Sequence, residues 1–281
     1  MRDVGPRARP AQHSRRARSA RRPSPDGRRP DPAASRRRDS ATAGGCPDRT
    51  GAWPRGCGRD AAVLGRSCVT GAALILLGAG GHARVVADLA RMAGWRIAGF
   101  VDPGRPVGEV IQGAAVLGAD FTENADWMRD CFMIAAIGEN VVRRREHGRL
   151  IAAGARVPAL VHLSAAVSAF ATLEPGAVVM AGAVVQAGAW VGAAAVINTA
   201  ASVDHDCHIG EAALIAPGAT LCGGVRVGAL TLIGAGVTVA PNVRIGRSAL
   251  VGVGAVVVDD LPDDARLKPW RRKTAKKGTA R

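Results

Sequence analysis

A chain of 281 residues is long enough to bury one or two sizeable cores. Its formal charge of +15 sits at the ends: residues 1–68 hold 17 Arg and 6 Asp, and residues 266–281 are basic without an acid. The part between them is mildly acidic, so the whole-chain charge does not mark a nucleic-acid-binding fold. No apolar run reaches about 18 residues, which excludes a membrane-spanning helix in this sequence. Cys46, Cys57, Cys68, Cys131, Cys207 and Cys222 show neither a CxxC pair nor zinc-ligand spacing. They fit reduced thiols in a cytoplasmic protein better than a disulfide framework.

Residues 1–68 are rich in Arg, Pro, Gly, Ser and Asp and nearly free of aliphatics before Ala61. Such a segment buries too little surface to fold alone and is expected to be disordered. A basic arm and a transit peptide are alternatives, but the composition reads best as translated upstream sequence ahead of a start near Val69. In any of these cases it carries no chemistry, and no nucleic-acid partner is expected.

A small α/β domain is expected over residues 72–158. Residues 72–77 are an apolar run read as a buried parallel strand. It enters Gly78-Ala-Gly80-Gly81-His82-Ala83, and residues 84–92 then have helical spacing. Residues 96–101 read as a second strand ending at Asp102. Glycines Gly78, Gly80 and Gly81 let backbone N–H groups approach a phosphate at a helix N-terminus, and Asp102 is placed to accept from ribose hydroxyls. A tight strand–helix turn without a ligand is the alternative. Residues 131–137 read as a further strand, and Gly138-Glu139-Asn140 opens a helix running to Ala153. This Rossmann-like unit is half the size of a dinucleotide fold and suits a single nucleotide.

From Val161 to Val257 every sixth residue is aliphatic, without a phase break. Two residues earlier stands a small residue, Ala at most turns, with Cys207, Val225, Thr231, Val237 and Val243 as exceptions. Neither a helix nor an ordinary strand repeats at six. A short strand plus a corner, repeated around a three-faced prism, does. We therefore expect a left-handed parallel β-helix of hexapeptide repeats over residues 159–260, with five to six coils, followed by a basic tail over residues 261–281.

Within that register His205 lies two residues past Val203, outside the packed interior and between Asp204 and Asp206. An imidazole there is open to substrate, and an adjacent carboxylate holds its tautomer and raises its basicity. A surface histidine in a polar corner is the bland alternative. His208 also projects outward, but a zinc site of the kind γ-class carbonic anhydrases build needs three histidines. His13, His82, His147 and His162 do not supply that spacing, so no metal is expected. Asn198 suits a corner-satisfying side chain, and corner glycines such as Gly223 and Gly234 suit positive φ.

The loop GAGGHARVV, the FVDP after the second strand, IAAIGEN and the stretch INTAASVDHDCHIGEAALIAPGATLCGGVRVG resemble the sialic-acid and nucleotide-sugar acetyltransferases, the NeuD/PglD-like hexapeptide-repeat transferases. The resemblance spans residues 73–265 with both domains in the same order. It implies a homotrimer with sites between neighbouring β-helices, a nucleotide sugar on the small domain and acetyl-CoA along the β-helix edge. His205 would be the general base and Asp206 its support. His82 would reach toward the sugar, the backbone N–H near Gly223 would meet the thioester, and Gly234 would lie on the pantetheine strip. The implied activity is acetyl transfer to the amino group of a UDP-4-amino sugar in the cytoplasm. Sialic acid O-acetylation and a catalytically weak nucleotide-sugar-binding homologue are the alternatives. Two departures bear on the last: Leu214 stands where many members have a second histidine, and the C-terminal Gly-x-Pro-Ala segment reads Leu267-Lys-Pro-Trp270.

Overall fold

A computed structural model describes residues 71–268. The expected disordered segment 1–68, and the basic residues from Arg271 onward, lie outside them.

The first unit alternates strand and helix: β1 (Ala73–Leu77), α1 (Gly81–Met92), β2 (Arg96–Val101), β3 (Val110–Ile111), β4 (Ala114–Gly118), α2 (Ala125–Asp130), β5 (Phe132–Ala135) and α3 (Asn140–Ala152). The sheet order is β3-β4-β2-β1-β5, parallel except for the β3–β4 hairpin. β1 is uniformly apolar because it is covered on both sides. Leu74 and Leu76 join one core with α1, while Ile75 and Leu77 join another with Leu150 of α3. The β3–β4 hairpin was not expected. Its turn is Gln112-Gly113, both at positive φ (47° and 77°), the conformation a tight hairpin needs without its commoner Asn-Gly signature.

The second unit is a left-handed parallel β-helix. Its two-residue strands run from Leu160–Val161 to Val256–Val257, and each ends on a residue of the six-residue period. Each pairs with the strand one coil on, as Trp190–Val191 does with His208–Ile209. The period-six aliphatics and the alanines two residues before them form one continuous core. The polar exceptions are satisfied in place. Thr231 Oγ1 donates to the Gly246 carbonyl at 2.6 Å and accepts from Ala249 N at 3.0 Å. The Cys207 thiol donates to the Cys222 carbonyl.

At the corners, every sixth residue from Gly176 to Gly254 takes φ between 51° and 76°. Half of these are not glycine, and Asp206 is one of them (φ 58°). Asp tolerates this region better than most residues because its short polar side chain bonds locally.

The three faces differ in what they show outward. One column, Ala166, Val184, Ser202, Thr220, Thr238 and Val256, is small and uncharged. A second runs Thr172, Trp190, His208, Arg226, Arg244. A third runs from Leu160 through Val178, Val196 and Leu214 to Leu250, and its first members are buried under the α/β unit in one cluster with Leu74 and Leu76.

The last coil is short. Ile245 pairs with Leu261 and Val251 with Leu267, steps of 16 residues where the others are 18. The β-helix therefore runs to Arg266–Leu267 and not to residue 260. The expected tail boundary is corrected because the contracted coil drops out of the six-residue phase on which it was drawn.

Helix α3 lies along one corner of the β-helix. Arg143, wholly buried, donates to the carbonyls of Ala194 (2.8 Å) and Ala212 (2.9 Å), and to those of Ile137 and Gly138 (both 3.0 Å). Its Nη2 also donates to Asn140 Oδ1, and Asn140 Nδ2 donates to the Leu230 carbonyl. Burial lowers the Arg143 pKa to about 10, so it stays charged at neutral pH. One guanidinium thus ties the α/β unit to one corner of the β-helix on two successive coils.

Candidate active site

His205 sits at the corner between the uncharged face and the Trp190–Arg244 face. Its Nδ1 lies 2.8 Å from Asp206 Oδ2, and its backbone N–H donates to Asp204 Oδ1 at 2.7 Å. The hydrogen bond to Asp206, with the Asp204 charge behind it, raises the imidazole pKa. A carboxylate on Nδ1 keeps the proton there and leaves the Nε2 lone pair free. Both side chains are largely exposed.

Nε2 points at Gly223, one coil on. A Cβ at residue 223 would collide with it, and a Cβ at Gly188, one coil before, would collide with Asp206 Oδ1. Gly223 has no positive φ, so its glycine answers to clearance over His205 and not to backbone conformation. Its neighbour Gly224 (φ 72°) is the true left-handed corner. Gly234 is different again. It is on another corner, and a Cβ there would meet Val251 O and Val253 N, both at 2.7 Å. Its missing side chain lets two coils stack, which is what the structure explains about it.

The glycine loop lies at the C-terminal end of β1, where open α/β sheets bind ligands. Gly78 takes φ 99° and packs against Ile137. Gly80 and Gly81 face open space, and α1 begins with neither a side-chain cap nor an acid in its first turn. Its first N–H groups are therefore available to an anion. Asp102 accepts from Ala79 N at 2.7 Å through one oxygen and from Gly104 N at 2.8 Å through the other. The geometry shows a brace under the loop, a role beside the ribose contact expected of Asp102.

His82 opens α1 beside Gly138. Its Nε2 is buried without a partner, and burial, then the Arg143 charge, holds its pKa down to about 4, so it is neutral. A groove of about 270 Å³ starts beside it at Gly138–Val141 and runs over Leu232 and Leu250 of the β-helix. Leu214 is half-buried and packs against the cluster holding Met180 and Val196. His162 is structural, accepting from Ser164 N through Nδ1. Asn198 accepts from Thr199 N at its corner.

The expected residues thus fall into three groups. Gly78, Gly80, Gly81, His82 and Asp102 share the α/β loop, His205, Asp206 and Gly223 share one corner, and Gly234 is on a second corner. One chain does not bring them together. Sequence reasoning missed Arg143, which looks like one of three solvated arginines in Arg143-Arg144-Arg145. It also missed the stacking of Trp190 on His208, rings 4.2 Å apart and 12° from parallel, although their spacing of 18 residues encodes it. Among the described residues no group of His, Cys, Asp or Glu is placed to hold a metal ion, and no helix is long and apolar enough to cross a membrane.

Residues 73–150 match the PglD N-terminal domain, and residues 206–241 match the bacterial transferase hexapeptide (six repeats). No curated protein matches the chain. Among solved structures, the acetyltransferase domain of PglB from Neisseria gonorrhoeae, in complex with acetyl coenzyme A, is 38% identical, with a TM-score of 0.67 over 70% of this chain and 95% of that one. A histidine-to-asparagine mutant of perosamine N-acetyltransferase from Caulobacter crescentus, in complex with CoA and GDP-perosamine, is 36% identical, with a TM-score of 0.66 over 71% and 95%. WeeI from Acinetobacter baumannii, 23% identical with a TM-score of 0.56, shares the fold over 69% and 94%.

Proposed function

Because the chain belongs to the PglD/NeuD-like family of hexapeptide-repeat sugar acetyltransferases, we propose that it transfers acetyl from acetyl-CoA to the amino group of a nucleotide-linked amino sugar. The observation that carries this reading is the pairing at one corner: His205 with Nδ1 held by Asp206 and Nε2 free beneath Gly223. Acetyl-CoA supplies an electrophilic thioester carbonyl when bound. The clearance at Gly223 fits it, since only a residue without Cβ leaves Nε2 open to an incoming amine.

His205 Nε2 accepts the proton of the amine as its nitrogen bonds to the carbonyl carbon. Asp206 stabilises the imidazolium that results. The Gly223 N–H would meet the oxygen that gains charge, because Cys222 N already donates to Val239 O and Gly224 N to His205 O. The carbon–sulfur bond then breaks, and the His205 imidazolium returns its proton to the departing CoA sulfur. On the α/β unit, Gly80 and Gly81 would present free N–H groups to the sugar nucleotide's diphosphate. Asp102 would hold their loop, and His82 Nε2 would meet a sugar hydroxyl as a neutral imidazole. A UDP-4-amino sugar is the acceptor the sequence resemblance favours, and GDP-perosamine in the Caulobacter relative makes GDP the competing choice.

Subunits must complete the site, because the glycine loop and His205 lie on different sides of one chain. The uncharged column from Ala166 to Val256 suits a homotrimer contact, which would set the His205 corner of one subunit against its neighbour's Asn198–Gly234 corner.

The test is thiol release from acetyl-CoA with UDP-, GDP- and dTDP-4-amino sugars, in wild type and His205→Ala. Turnover with one sugar, lost in the mutant, supports the assignment. Turnover that survives removes His205 as the base. Nucleotide-sugar binding without release would instead favour a binding-only homologue, for which Leu214 in place of a second histidine is the motive.

A further inference from the structure

Beside the His205 corner, the second face of the β-helix carries a ladder whose composition nothing in the fold requires. Trp190, His208, Arg226 and Arg244 occupy the same outward position on four successive coils and are direct register partners. Like charges directly opposite one another on neighbouring strands destabilise a sheet, yet Arg226 and Arg244 face each other with no compensation. Among the described residues neither guanidinium has a carboxylate within ion-pair reach. The two aspartates at the end of the ladder are engaged by backbone: Asp260 Oδ1 accepts from Arg244 N (2.7 Å) and Asp263 Oδ1 from Arg247 N (2.8 Å). Trp190 is oriented from the other side, its Nε1 donating to Glu174 Oε1 at 3.3 Å, so its ring lies flat on His208.

His208, Arg226 and Arg244, with Asp260 and Asp263 at the far end, line an open groove of about 540 Å³ that reaches to Pro262. That volume falls in the range of nucleotide-sized ligands and exceeds what a single phosphate fills. Planar guanidinium forks in a row match adjacent phosphate groups, each taking two oxygens. We infer that this groove is a polyphosphate site, in which Arg226 and Arg244 clamp the phosphates of a nucleotide while His208, braced by Trp190, bounds the end nearest His205. The choice of a nucleotide rests on the acetyl-transfer reading, in which both substrates are phosphorylated; the anion site itself does not. Two sources share the chemistry: the 3′-phospho-ADP end of CoA, or the diphosphate of a sugar nucleotide held on a neighbouring subunit.

Calorimetric titration of the full-length chain with pyrophosphate, adenosine 3′,5′-bisphosphate, UDP and GDP tests this. Arg226→Gln/Arg244→Gln is compared with Arg96→Gln/Arg145→Gln, which removes the same charge from the α/β unit. The expected result is about tenfold or greater weakening of pyrophosphate and of one nucleotide class in the first pair only. Loss confined to the bisphosphate assigns the groove to CoA, and loss confined to UDP or GDP assigns it to the sugar nucleotide. If the glutamine pair fails to fold, Arg226→Lys/Arg244→Lys keeps the charge without the fork and is expected to lose affinity by a smaller factor. Equal affinities in both pairs overturn the inference. So does unchanged affinity accompanied by dissociation of the oligomer, which would make the ladder a subunit contact. Because binding is read without turnover, absence of acetyl transfer with a lost pyrophosphate site would sink the proposed reaction and leave the anion site standing.

Discussion

Gly223 stands so close over His205 that a β-carbon on residue 223 would occupy the space of Nε2. The clash is with the tip of an exposed side chain, and the glycine's φ is ordinary, so Gly223→Ala should fold with less than about 1 kcal/mol of change. His205 would have to swing aside, and kcat should fall on the order of 10²-fold. Gly234→Ala makes the contrast. Its Cβ meets backbone of the next coil at 2.7 Å, so stability should drop by about 1–3 kcal/mol. Thermal melts beside steady-state kinetics separate the two; a Gly223→Ala enzyme with full activity would detach the glycine from catalysis.

The Asp206 carboxylate is the largest cause of the raised His205 pKa, with Asp204 second. Only neutral His205 accepts a proton, so kcat/KM should rise with pH through a pKa above the ordinary histidine value. Asp206→Asn removes the main cause, and the limb should move to lower pH while the plateau falls by about 10–10²-fold. Asn tolerates the left-handed φ of this position, which keeps the corner intact. A profile from pH 5.5 to 9 reads this out (pH range set by the about 6.5 reference value), and an unmoved limb would point to another base.

Arg143 is held entirely by neutral acceptors: four backbone carbonyls and Asn140. Arg143→Met should cost on the order of 3 kcal/mol or more, because carbonyls from both units lose their donor while staying buried. Arg143→Lys should recover little, since one ammonium cannot reach carbonyls on two coils. Denaturant unfolding measures the loss, and a near-neutral Arg143→Met would show that the carbonyls find water.

Asp102 fixes the Ala79 and Gly104 amides. In Asp102→Asn one of those amides faces an NH₂ group and loses its acceptor. KM for the nucleotide sugar should rise by about tenfold while KM for acetyl-CoA is unchanged. Equal rises in both constants would contradict a role confined to the loop.

The β-helix is legible from sequence because every coil presents the same inward position, so the period survives the substitutions at Cys207 and Thr231. β1, β2 and α1 are legible from their apolar spacing, whereas α3, whose buried face is Asn140, Arg143, His147 and Leu150, is legible from its start signal, Glu139, whose side chain accepts from Val141 N and Val142 N. The β3–β4 hairpin is not, since β4 is short and Ala-rich and its turn is Gln-Gly. At the site, the His205–Asp206 pair is legible because the partners are adjacent in the chain. The Gly223 contact depends on coil stacking, which local pattern does not express. Arg143 is hidden for a different reason: a buried guanidinium satisfied by carbonyls has no acidic partner in sequence to announce it.

The contracted last coil has a consequence for solubility. A β-helix built of identical steps ends in unpaired strand edges that a second molecule could extend. Between Val257 and Leu261 the chain takes four residues where every earlier step takes six, and the short coil brings Pro262 with Asp259, Asp260, Asp263 and Asp264. A proline offers no amide to a new strand, and clustered carboxylates repel their own copies. The irregularity that breaks the repeat is thus a terminator at this end of the β-helix.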